Sequence, residues 1–361
     1  MEYQLCKLST SQDEKAKLSV TMDRMEALLR ERVRDYYPRP PNSGEAMLQR
    51  EGALHKAAHS SVQRYRVNIG DGREQELILK VHKDYPDEQK SASCAARREY
   101  EVLQLLWKGF EGSRGLCVPK PLDLFEREGA VVMEAVEGEE LFSLIKKGVG
   151  RLKRSVSLDS LLHYVELCAQ WLARFQEFTL KVGEDGALPD VQAEFSSDMA
   201  SYLKSSVELG LDRSLADRAR RCVEELTSNI RWDLLEVVGV RADFAPWNVF
   251  VSSGSLSTVD FAGFRYGGGY FDPSFFLASL MAMAKNPMRS KRKIAALEAR
   301  FTRACFSKMK LDGRIFRAYR VMNLLHLLSE ERWRLKRGGL HRRMAFGKVL
   351  RHYEACIERS L

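Results

Sequence analysis

Hydrophobic residues along the chain recur with two spacings, and each spacing predominates in a different part of the sequence. In the first part, short apolar runs such as residues 77–81 are bounded by turn residues, which is typical of β-strands. From Leu141 onward, apolar positions recur at intervals of three and four, which is typical of helices with one buried face. The pattern predicts a smaller part rich in strands followed by a larger, mostly helical part.

Two helices are expected in the first part. Residues 96–106 repeat apolar side chains at intervals of three and four. Residues 10–35 are highly charged but have the spacing of a helix with one apolar face. That face comprises Met22, Met25, Leu28 and Leu29. We interpret residues 10–35 as a helix that packs on the smaller part, with a partner-binding helix as the alternative.

An aspartate, an asparagine and a second aspartate stand at a distinctive spacing in the helical part. Asn248 follows Asp243 by five positions, and Asp260 follows Asn248 by twelve. The spacing of Asp243 and Asn248 alone would occur about once by chance in a chain of this length. Residues 249–251 and 256–259, however, have the pattern of two strands joined by a Ser-Gly turn. Such a hairpin brings Asn248 and Asp260 together.

These three residue types suit phosphoryl transfer from a metal-bound nucleotide. The charge of the transferred group lies on oxygen atoms, so the reaction needs Mg²⁺, which prefers oxygen ligands, and a carboxylate that aligns the attacking hydroxyl. We expect Asp243 to be that carboxylate. Asn248 and Asp260 are the expected metal ligands.

The same chemistry requires a lysine and a glutamate upstream, and both are present in order. Lys80 lies within the predicted strand 77–81, and Glu99 lies in the predicted helix 96–106. A lysine there neutralises nucleotide phosphates, and the glutamate holds it extended. The alternatives are a solvated lysine on an edge strand and an exposed helix glutamate.

A serine-rich segment stands where a loop over the phosphates is expected. It contains Ser60 and Ser61 between two candidate strands and has no glycine nearby. Main-chain amides and hydroxyl groups of such a turn can still bind phosphate. We therefore include both serines among the candidate nucleotide-binding residues.

Next along the chain, residues 118–125 and 130–138 form a predicted strand pair that contains Met133 and Glu134. Together with the Asp243 to Asn248 segment, this order resembles the aminoglycoside phosphotransferase and choline kinase-like family, a branch of the protein-kinase-like fold. The resemblance covers about residues 52–284. It implies ATP as the cofactor with Mg²⁺, adenine contacts from the backbone of Glu134 to Val136, and a pocket lined by Met133.

Three positions depart from the pattern of that family. Arg241 and Ala242 stand in place of a His-Gly pair, Gln176 in place of a histidine, and Phe276 in place of an aspartate. These residues support the loop rather than contact the phosphate. We expect an active, divergent enzyme, and a nucleotide-binding pseudokinase scaffold is the alternative.

The expected fold class is α+β, a bilobal protein-kinase-like fold. Its small N-terminal lobe has an antiparallel sheet and one main helix, and its larger C-terminal lobe is mostly helical. The expected domains are a helical extension and linker over residues 1–45, an N-lobe over residues 46–136, and a C-lobe over residues 137–361. The loosest linker is expected at residues 36–44.

Composition limits the cellular location in which the protein is expected to act. The chain has 361 residues and seven cysteines in no Cys-x-x-Cys pair, which argues against a secreted disulfide framework. No apolar stretch approaches the roughly 18 residues of a membrane span, so a cytoplasmic location is expected. The net charge is +9, and the basic excess lies late in the chain, where it forms clusters. These basic clusters comprise Arg289, Lys291, Arg292, Lys293, Arg332, Arg334, Lys336, Arg337, Arg342, Arg343, Lys348 and Arg351.

Such clusters suit an anionic substrate or a peripheral membrane contact, and a solvated surface is the simpler alternative. A nucleic-acid partner is disfavoured because no recognition module is present. By resemblance, residues 179–235 and 285–340 shape the acceptor pocket. Their acids Glu184, Asp185, Asp190 and Glu194 would attract a cationic acceptor, whereas the basic clusters favour a phosphorylated sugar or glycolipid.

We expect transfer of the ATP γ-phosphate to a hydroxyl of a small molecule, with a sugar or cell-surface glycan as the first choice. An aminoglycoside-type or choline-type acceptor is the alternative within the same class. A protein kinase is disfavoured because no Ala-Pro-Glu tripeptide follows Asp260 and the Asp-Pro pair at Asp272 comes only twelve residues later.

Overall fold

The structure of the protein is a computed structural model that describes eight segments of the chain. These are residues 12–37, 46–56, 59–69, 73–84, 91–150, 155–181, 189–337 and 340–361. The chain divides into two compact units. The first unit comprises Met1–Glu111 and Val118–Val136, and the second comprises Gly112–Cys117 and Glu137–Leu361. The predicted domain boundaries stay predictions, and most of the predicted linker 36–44 lies outside the described residues.

The first unit contains a five-stranded antiparallel sheet in the order β1-β2-β3-β6-β5. Its elements are α1 (Gln12–Tyr36), β1 (Met47–Lys56), β2 (Ser60–Asn68), β3 (Glu74–His82), α2 (Ala92–Phe110), β5 (Pro121–Phe125) and β6 (Ala130–Glu134). The short strand β4 (Leu116–Cys117) belongs to the second unit. The antiparallel sheet and the helix α2 agree with the predicted architecture of this part.

The core of the first unit forms where α1 packs on the sheet. Met25 and Leu29 of α1 are fully buried in one cluster with Tyr65, Leu77 and Leu79 of the sheet. The helix itself is polar on average, so burial of this single apolar face provides most of its stability. The expectation that this helix packs on the smaller part is confirmed.

Helix α2 places a single carboxylate in the interior. Its N-terminus is capped by Ser91, whose Oγ accepts a hydrogen bond of 3.2 Å from the N–H of Cys94. Its buried face consists of Ala96, Glu99, Val102, Leu103, Leu106 and Phe110. Glu99 is therefore buried among apolar positions of the same helical face.

The second unit is mostly helical, as the spacing of its apolar residues predicts. Its helices are α3 (Leu141–Val149), α4 (Leu158–Thr179), α5 (Val191–Glu208), α6 (Arg213–Thr227), α7 (Phe271–Met283), α8 (Lys291–Lys308), α9 (Gly313–Arg337) and α10 (Leu340–Glu358). Every residue of α7 is buried. A helix that is apolar on all sides belongs at the centre of a domain. In the described part of the chain, no helix is long and apolar enough to cross a membrane.

Two small sheets lie in the second unit. The first has the order β4-β10-β9-β7, and the second pairs β11 with β8. The remaining strands are β7 (Glu139–Glu140), β8 (Val237–Val240), β9 (Val249–Ser252), β10 (Ser255–Thr258) and β11 (Arg265–Gly268). Strands β9 and β10 form an antiparallel hairpin, which confirms the predicted hairpin.

The basic residues before and within α8 do not form one exposed cluster. Arg289 is buried, donates a hydrogen bond of 2.9 Å from Nη1 to the carbonyl of Met283, and lies 5.6 Å from the ring centroid of Phe142. This arginine stabilises the core, which corrects the expectation that it contributes to an anion-attracting surface. The side chains of the basic positions 332, 334, 336, 337, 342 and 343 lie outside the described residues.

Truncation of Leu29 tests the packing of α1. We expect Leu29→Ala to lower the free energy of unfolding by about 2–5 kcal/mol because it leaves a cavity in a closed core. The neighbouring exposed change Glu31→Ala should alter it by less than about 0.5 kcal/mol. Urea unfolding monitored by circular dichroism measures both. Equal midpoints for Leu29→Ala and Glu31→Ala would contradict the burial of Leu29 against the sheet.

Candidate active site

The segment with Asp243 begins where β8 ends. Ala242 has a left-handed backbone with φ of 65°, which turns the chain sharply after the strand. The segment then closes with a 3-10 turn over Pro246–Asn248 and continues directly into β9. Left-handed conformation is easiest for glycine, so an alanine adopts it here at some cost in backbone strain.

A buried carboxylate fixes the start of this segment. Asp272, in the first turn of α7, accepts hydrogen bonds from the backbone N–H of Arg241 at 2.7 Å and of Ala242 at 3.1 Å. Burial raises the pKa of Asp272 to about 6, and the two backbone donors and Arg241 oppose the shift. This role of Asp272 was not predicted from the sequence. An aspartate followed by proline at the start of a buried helix is the signal that could have indicated it.

Arg241 holds the other end of the site. Its guanidinium is fully buried, donates from Nη2 to the carbonyl of Asp260 at 2.9 Å, and also donates to the carbonyl of Val259. The guanidinium lies 4.5 Å from the ring centroid of Phe261 and 5.6 Å from that of Trp171. Arg241 therefore links the end of β8 to the residues that follow β10.

Asp243 and Asn248 are in direct contact. The amide Nδ2 of Asn248 donates to the backbone carbonyl and to Oδ2 of Asp243, both at 2.9 Å. Trp247 Nε1 donates to Oδ1 of Asp243 at 3.2 Å. Burial raises the pKa of Asp243 to about 7, the charge of Asp260 raises it further, and these hydrogen bonds oppose the shift. A carboxyl with such a pKa can exchange a proton near neutral pH.

The β9-β10 hairpin brings Asp260 to the same region. The N–H of Val259 donates to the carbonyl of Asn248 at 3.0 Å, just beyond the pair formed by Val249 and Thr258. Asp260 follows in a left-handed conformation with φ of 69°, and its side chain is exposed. The structure thus brings Asp243, Asn248 and Asp260 together, as the spacing predicts.

The donor atoms of this site fit a divalent cation. The described residues contain no group of three or more His, Cys, Asp or Glu side chains suited to a metal, and the donors here are carboxylates and one amide. Since Asn248 directs its NH₂ group to Asp243, its amide oxygen is the atom available to a cation. Mg²⁺ takes few protein ligands and completes its shell with water and phosphate oxygens, which suits this set.

In the first unit, Lys80 and Glu99 form a buried ion pair. Lys80 Nζ lies 2.9 Å from Oε1 and 2.8 Å from Oε2 of Glu99, and both side chains are almost fully buried. This excludes the alternatives of a solvated lysine and an exposed glutamate. His82 also reaches the carboxylate, with Nε2 at 2.8 Å from Oε2 of Glu99. This contact of His82 was not predicted from the sequence, although its position two residues after Lys80 places it on the same face of β3.

Two of the three backbone N–H groups of residues 134–136 are already hydrogen-bonded within the first unit. The N–H of Glu134 donates to the carbonyl of Lys120, and that of Ala135 donates to the carbonyl of Glu76, both at 2.9 Å. Among the described residues, no backbone carbonyl accepts a hydrogen bond from the N–H of Val136. Met133 is buried within the first unit. The predicted adenine contacts of Met133, Glu134 and Val136 stay predictions.

The two candidate phosphate-binding serines differ from expectation in one respect. Ser60 and Ser61 are the first residues of β2, paired with His82 and Val81 of β3, and both are buried. The expectation that they belong to a turn is wrong, because the strand begins earlier than the polar composition of the segment suggests. Their contact with nucleotide stays a prediction.

The two other departures from the family pattern have structural roles. Gln176 Nε2 donates to the carbonyl of Gly269 at 2.6 Å, so this side chain holds the segment between β11 and α7. Phe276 is fully buried, with its ring centroid 5.3 Å from that of Phe244 and 4.4 Å from that of Phe301. An aromatic side chain packed in the core therefore stands where the family pattern has an aspartate.

Comparison with known proteins identifies the family. Residues 56–308 match the family described as the phosphotransferase enzyme family, and because this is most of the chain, the protein belongs to it. No curated protein matches the sequence. Solved structures with the same protein-kinase-like fold confirm the predicted α+β, bilobal fold class.

Three of these structures illustrate the likeness. An amicoumacin kinase in complex with AMP-PNP and Ca²⁺ has a TM-score of 0.56 and 13% identity, over 94% of this chain and 96% of that chain. A choline kinase from Cryptosporidium parvum Iowa II has a TM-score of 0.55 and 10% identity, over 92% and 96%. A glucosamine kinase has a TM-score of 0.51 and 12% identity, over 90% and 97%.

The pKa values of Asp243 and Asp272 predict how stability depends on pH. Both carboxyls bind a proton more tightly in the folded protein than in the unfolded chain, where the ordinary value is 3.8. The unfolded state therefore releases these protons first, and stability falls as pH rises from about 4 to about 7. We expect the melting temperature in EDTA to fall over this range and to recover on addition of Mg²⁺.

Asp243→Asn should reduce both the fall in melting temperature with rising pH and its recovery with Mg²⁺. The control Asp233→Asn, at an exposed position of the second unit, should leave both changes in melting temperature as they are in the wild type. Differential scanning fluorimetry measures all three proteins. A fall of the same size in Asp243→Asn and in the wild type would show that Asp243 does not titrate in this range.

Proposed function

We propose that the protein is an ATP- and Mg²⁺-dependent phosphotransferase that moves the γ-phosphate to a hydroxyl of a small molecule, most favourably a saccharide. The observation that supports this is the contact of Asp243 with Asn248 beside Asp260, in a chain of the phosphotransferase enzyme family. Two carboxylates and an amide at this spacing provide a base and hard oxygen ligands for a metal.

In the proposed reaction, Asp243 accepts the proton of the attacking hydroxyl. Its raised pKa favours this role because a base with a pKa near the working pH combines a useful ionised fraction with proton affinity. Trp247 and Asn248 orient the carboxylate through hydrogen bonds. Mg²⁺, when bound by Asn248 and Asp260, would neutralise the charge of the nucleotide phosphates.

The roles proposed for the first unit concern the nucleotide. Lys80 would neutralise phosphate oxygens, with Glu99 holding the ammonium in place. The Val136 N–H is the proposed hydrogen-bond donor to the adenine, since the N–H groups of Glu134 and Ala135 are already donated within the unit. ATP as the nucleotide agrees with family membership and with the fold of the kinase bound to AMP-PNP.

The acidic residues of the second unit favour a neutral acceptor over a cationic one. Asp190 caps α5, accepting a hydrogen bond of 2.9 Å from the N–H of Ala193, and Asp198 pairs with Arg265 at 3.1 Å. Burial raises the pKa of Glu194, and the charge of Arg265 opposes the shift. These carboxylates are engaged within the fold, and residues 184 and 185 lie outside the described residues. A glucosamine kinase of the same fold is consistent with a saccharide acceptor.

Replacement of the proposed base tests the reaction. We expect Asp243→Asn to lower the rate of phosphoryl transfer roughly 10²- to 10⁴-fold because the base is lost, while AMP-PNP still raises the melting temperature. The measurement is nucleotide consumption with a panel of saccharides, aminoglycosides, choline and other hydroxylated metabolites. Asp233→Asn should retain the wild-type rate, and Asp260→Ala serves as the blank.

The same panel separates the proposed function from its alternatives. Consumption with choline or aminoglycosides but not with saccharides would reject the saccharide while retaining the class. Phosphorylation of a generic protein acceptor alone would indicate a protein kinase. Stabilisation by Mg-ATP without turnover on any acceptor would favour a nucleotide-binding scaffold.

Replacement of Lys80 tests the nucleotide site separately. We expect Lys80→Met to weaken ATP binding about tenfold or more, since a charge-assisted hydrogen bond contributes about 1.5–3 kcal/mol. Lys108→Met, at the surface of α2 in the same unit, should bind ATP as the wild type does. Isothermal titration calorimetry with Mg-ATP measures both. Unchanged affinity in Lys80→Met would remove this lysine from the site.

A further inference from the structure

The second unit contains a cavity that shares no residue with the proposed base, metal ligands or nucleotide contacts, although part of its lining falls within residues 285–340, the range that the resemblance assigns to the acceptor pocket. It has a volume of about 570 Å³ and is formed by α7, α8, α9 and the residues after α10. Its lining includes none of the residues assigned a role in phosphoryl transfer. The volume lies within the roughly 300–1,000 Å³ in which proteins bind small molecules.

The wall of this cavity has a continuous apolar part. Leu277 and Met281 of α7 and Ala299 of α8 line it, and both α7 residues are buried. Phe306, one turn beyond Thr302 on α8, lies at the edge of the cavity and remains 40% exposed. An aromatic side chain with this exposure beside buried aliphatic groups provides a surface for the apolar part of a ligand.

The charged groups of the cavity are predominantly positive. Arg303, Arg320 and Arg359 line it together with a single carboxylate, that of Glu298, so three positive charges face one negative charge and leave an excess of two. Burial raises the pKa of Glu298, although Arg359 and Arg320 oppose the shift. The carboxylate thus offsets only part of the positive charge around it.

Arg320 has an unused donor inside the protein. Its Nε is buried, and in the described segments no atom accepts a hydrogen bond from it. Burial lowers the pKa of Arg320, the charges of Arg317 and Arg359 lower it further, and the charge of Glu298 opposes the shift. A buried donor without an acceptor costs free energy, and an incoming anion would supply both the acceptor and the opposite charge.

We propose that this cavity binds an amphipathic organic anion, whose carboxylate or phosphate head lies between Arg320 and Arg359 and whose apolar body packs on Leu277, Met281 and Phe306. The guanidinium fork of arginine matches the geometry of both head groups. The proposal does not depend on the phosphotransferase reaction, because no lining residue is the proposed base, a proposed metal ligand or a proposed nucleotide contact.

Short-chain probes test the site directly. Octanoate and octyl phosphate are titrated into the full-length protein by isothermal titration calorimetry, with octanol and octylamine as comparators. We expect saturable binding of at least one anion, and at least tenfold weaker binding of the neutral and cationic probes. Arg320→Gln should weaken binding of the anion about tenfold or more, and Ala299→Trp should abolish it by filling the cavity.

Two matched variants control for general effects. Arg292→Gln removes an exposed arginine of α8 that does not line the cavity, and Ala355→Trp adds an indole to an exposed position of α10. Both should bind the anion with wild-type affinity. If Arg320→Gln does not fold, as shown by its melting temperature, the comparison of Ala299→Trp with Ala355→Trp decides, because both positions are exposed.

Three results would overturn the proposal. The first is no saturable binding of either anion to the wild type. The second is equal affinity in the wild type, Arg320→Gln and Ala299→Trp. The third is binding to phosphatidylglycerol vesicles that Arg320→Gln abolishes, without binding of either free anion, which would assign the arginine to a membrane contact instead.

Discussion

The hydrogen bonds that Asp272 accepts from the backbone of Arg241 and Ala242 are the constraint on which the candidate active site depends. They fix the exit from β8, so the left-handed turn at Ala242 can form and Asp243 is held at a defined position. The side chain of Arg241 extends the same constraint to the carbonyl groups after β10. One buried carboxylate and one buried guanidinium therefore set the positions of both proposed functional aspartates. Such a network is rigid, because movement of one member would leave its buried partners without hydrogen bonds.

This arrangement places negative charge where burial disfavours it. Asp243 and Asp272 both have raised pKa values, and the charge of Asp260 adds to the effect at Asp243. The second unit is thus less stable at neutral pH than it would be with neutral side chains, and a bound divalent cation would offset that loss. In the first unit, by contrast, the buried carboxylate of Glu99 is compensated by a short ion pair with Lys80. His82 adds a third polar group to that pair.

The two ligand sites inferred for the second unit differ in the sign of their charge. Asp243 and Asp260 form an acidic site suited to a cation, whereas Arg303, Arg320 and Arg359 give the cavity beside α8 an excess of positive charge. Charges of opposite sign on separate surfaces favour different ligands. Arginines of the second unit accordingly differ in their roles. Arg289 stabilises the core, while Arg320 and Arg359 line the cavity.

The sequence by itself determined the type and order of the elements, the β9-β10 hairpin, the pairing of Lys80 with Glu99, and the grouping of Asp243, Asn248 and Asp260. The elements, the hairpin and the grouping at its base follow from local spacing, because hydrophobic periodicity and turn residues act over a few positions and a hairpin joins neighbours in the chain. The pairing of Lys80 with Glu99 was expected instead from the chemistry of phosphoryl transfer. Only the tertiary structure decided the roles of Asp272, Arg241 and His82, the burial of Ser60, Ser61 and Arg289, and the existence of the cavity between α7, α8 and α9. Each of these depends on contacts between residues far apart in the chain or on the desolvation of a polar group. Neither long-range contacts nor the desolvation of a polar group can be read from the residue pattern of a single segment.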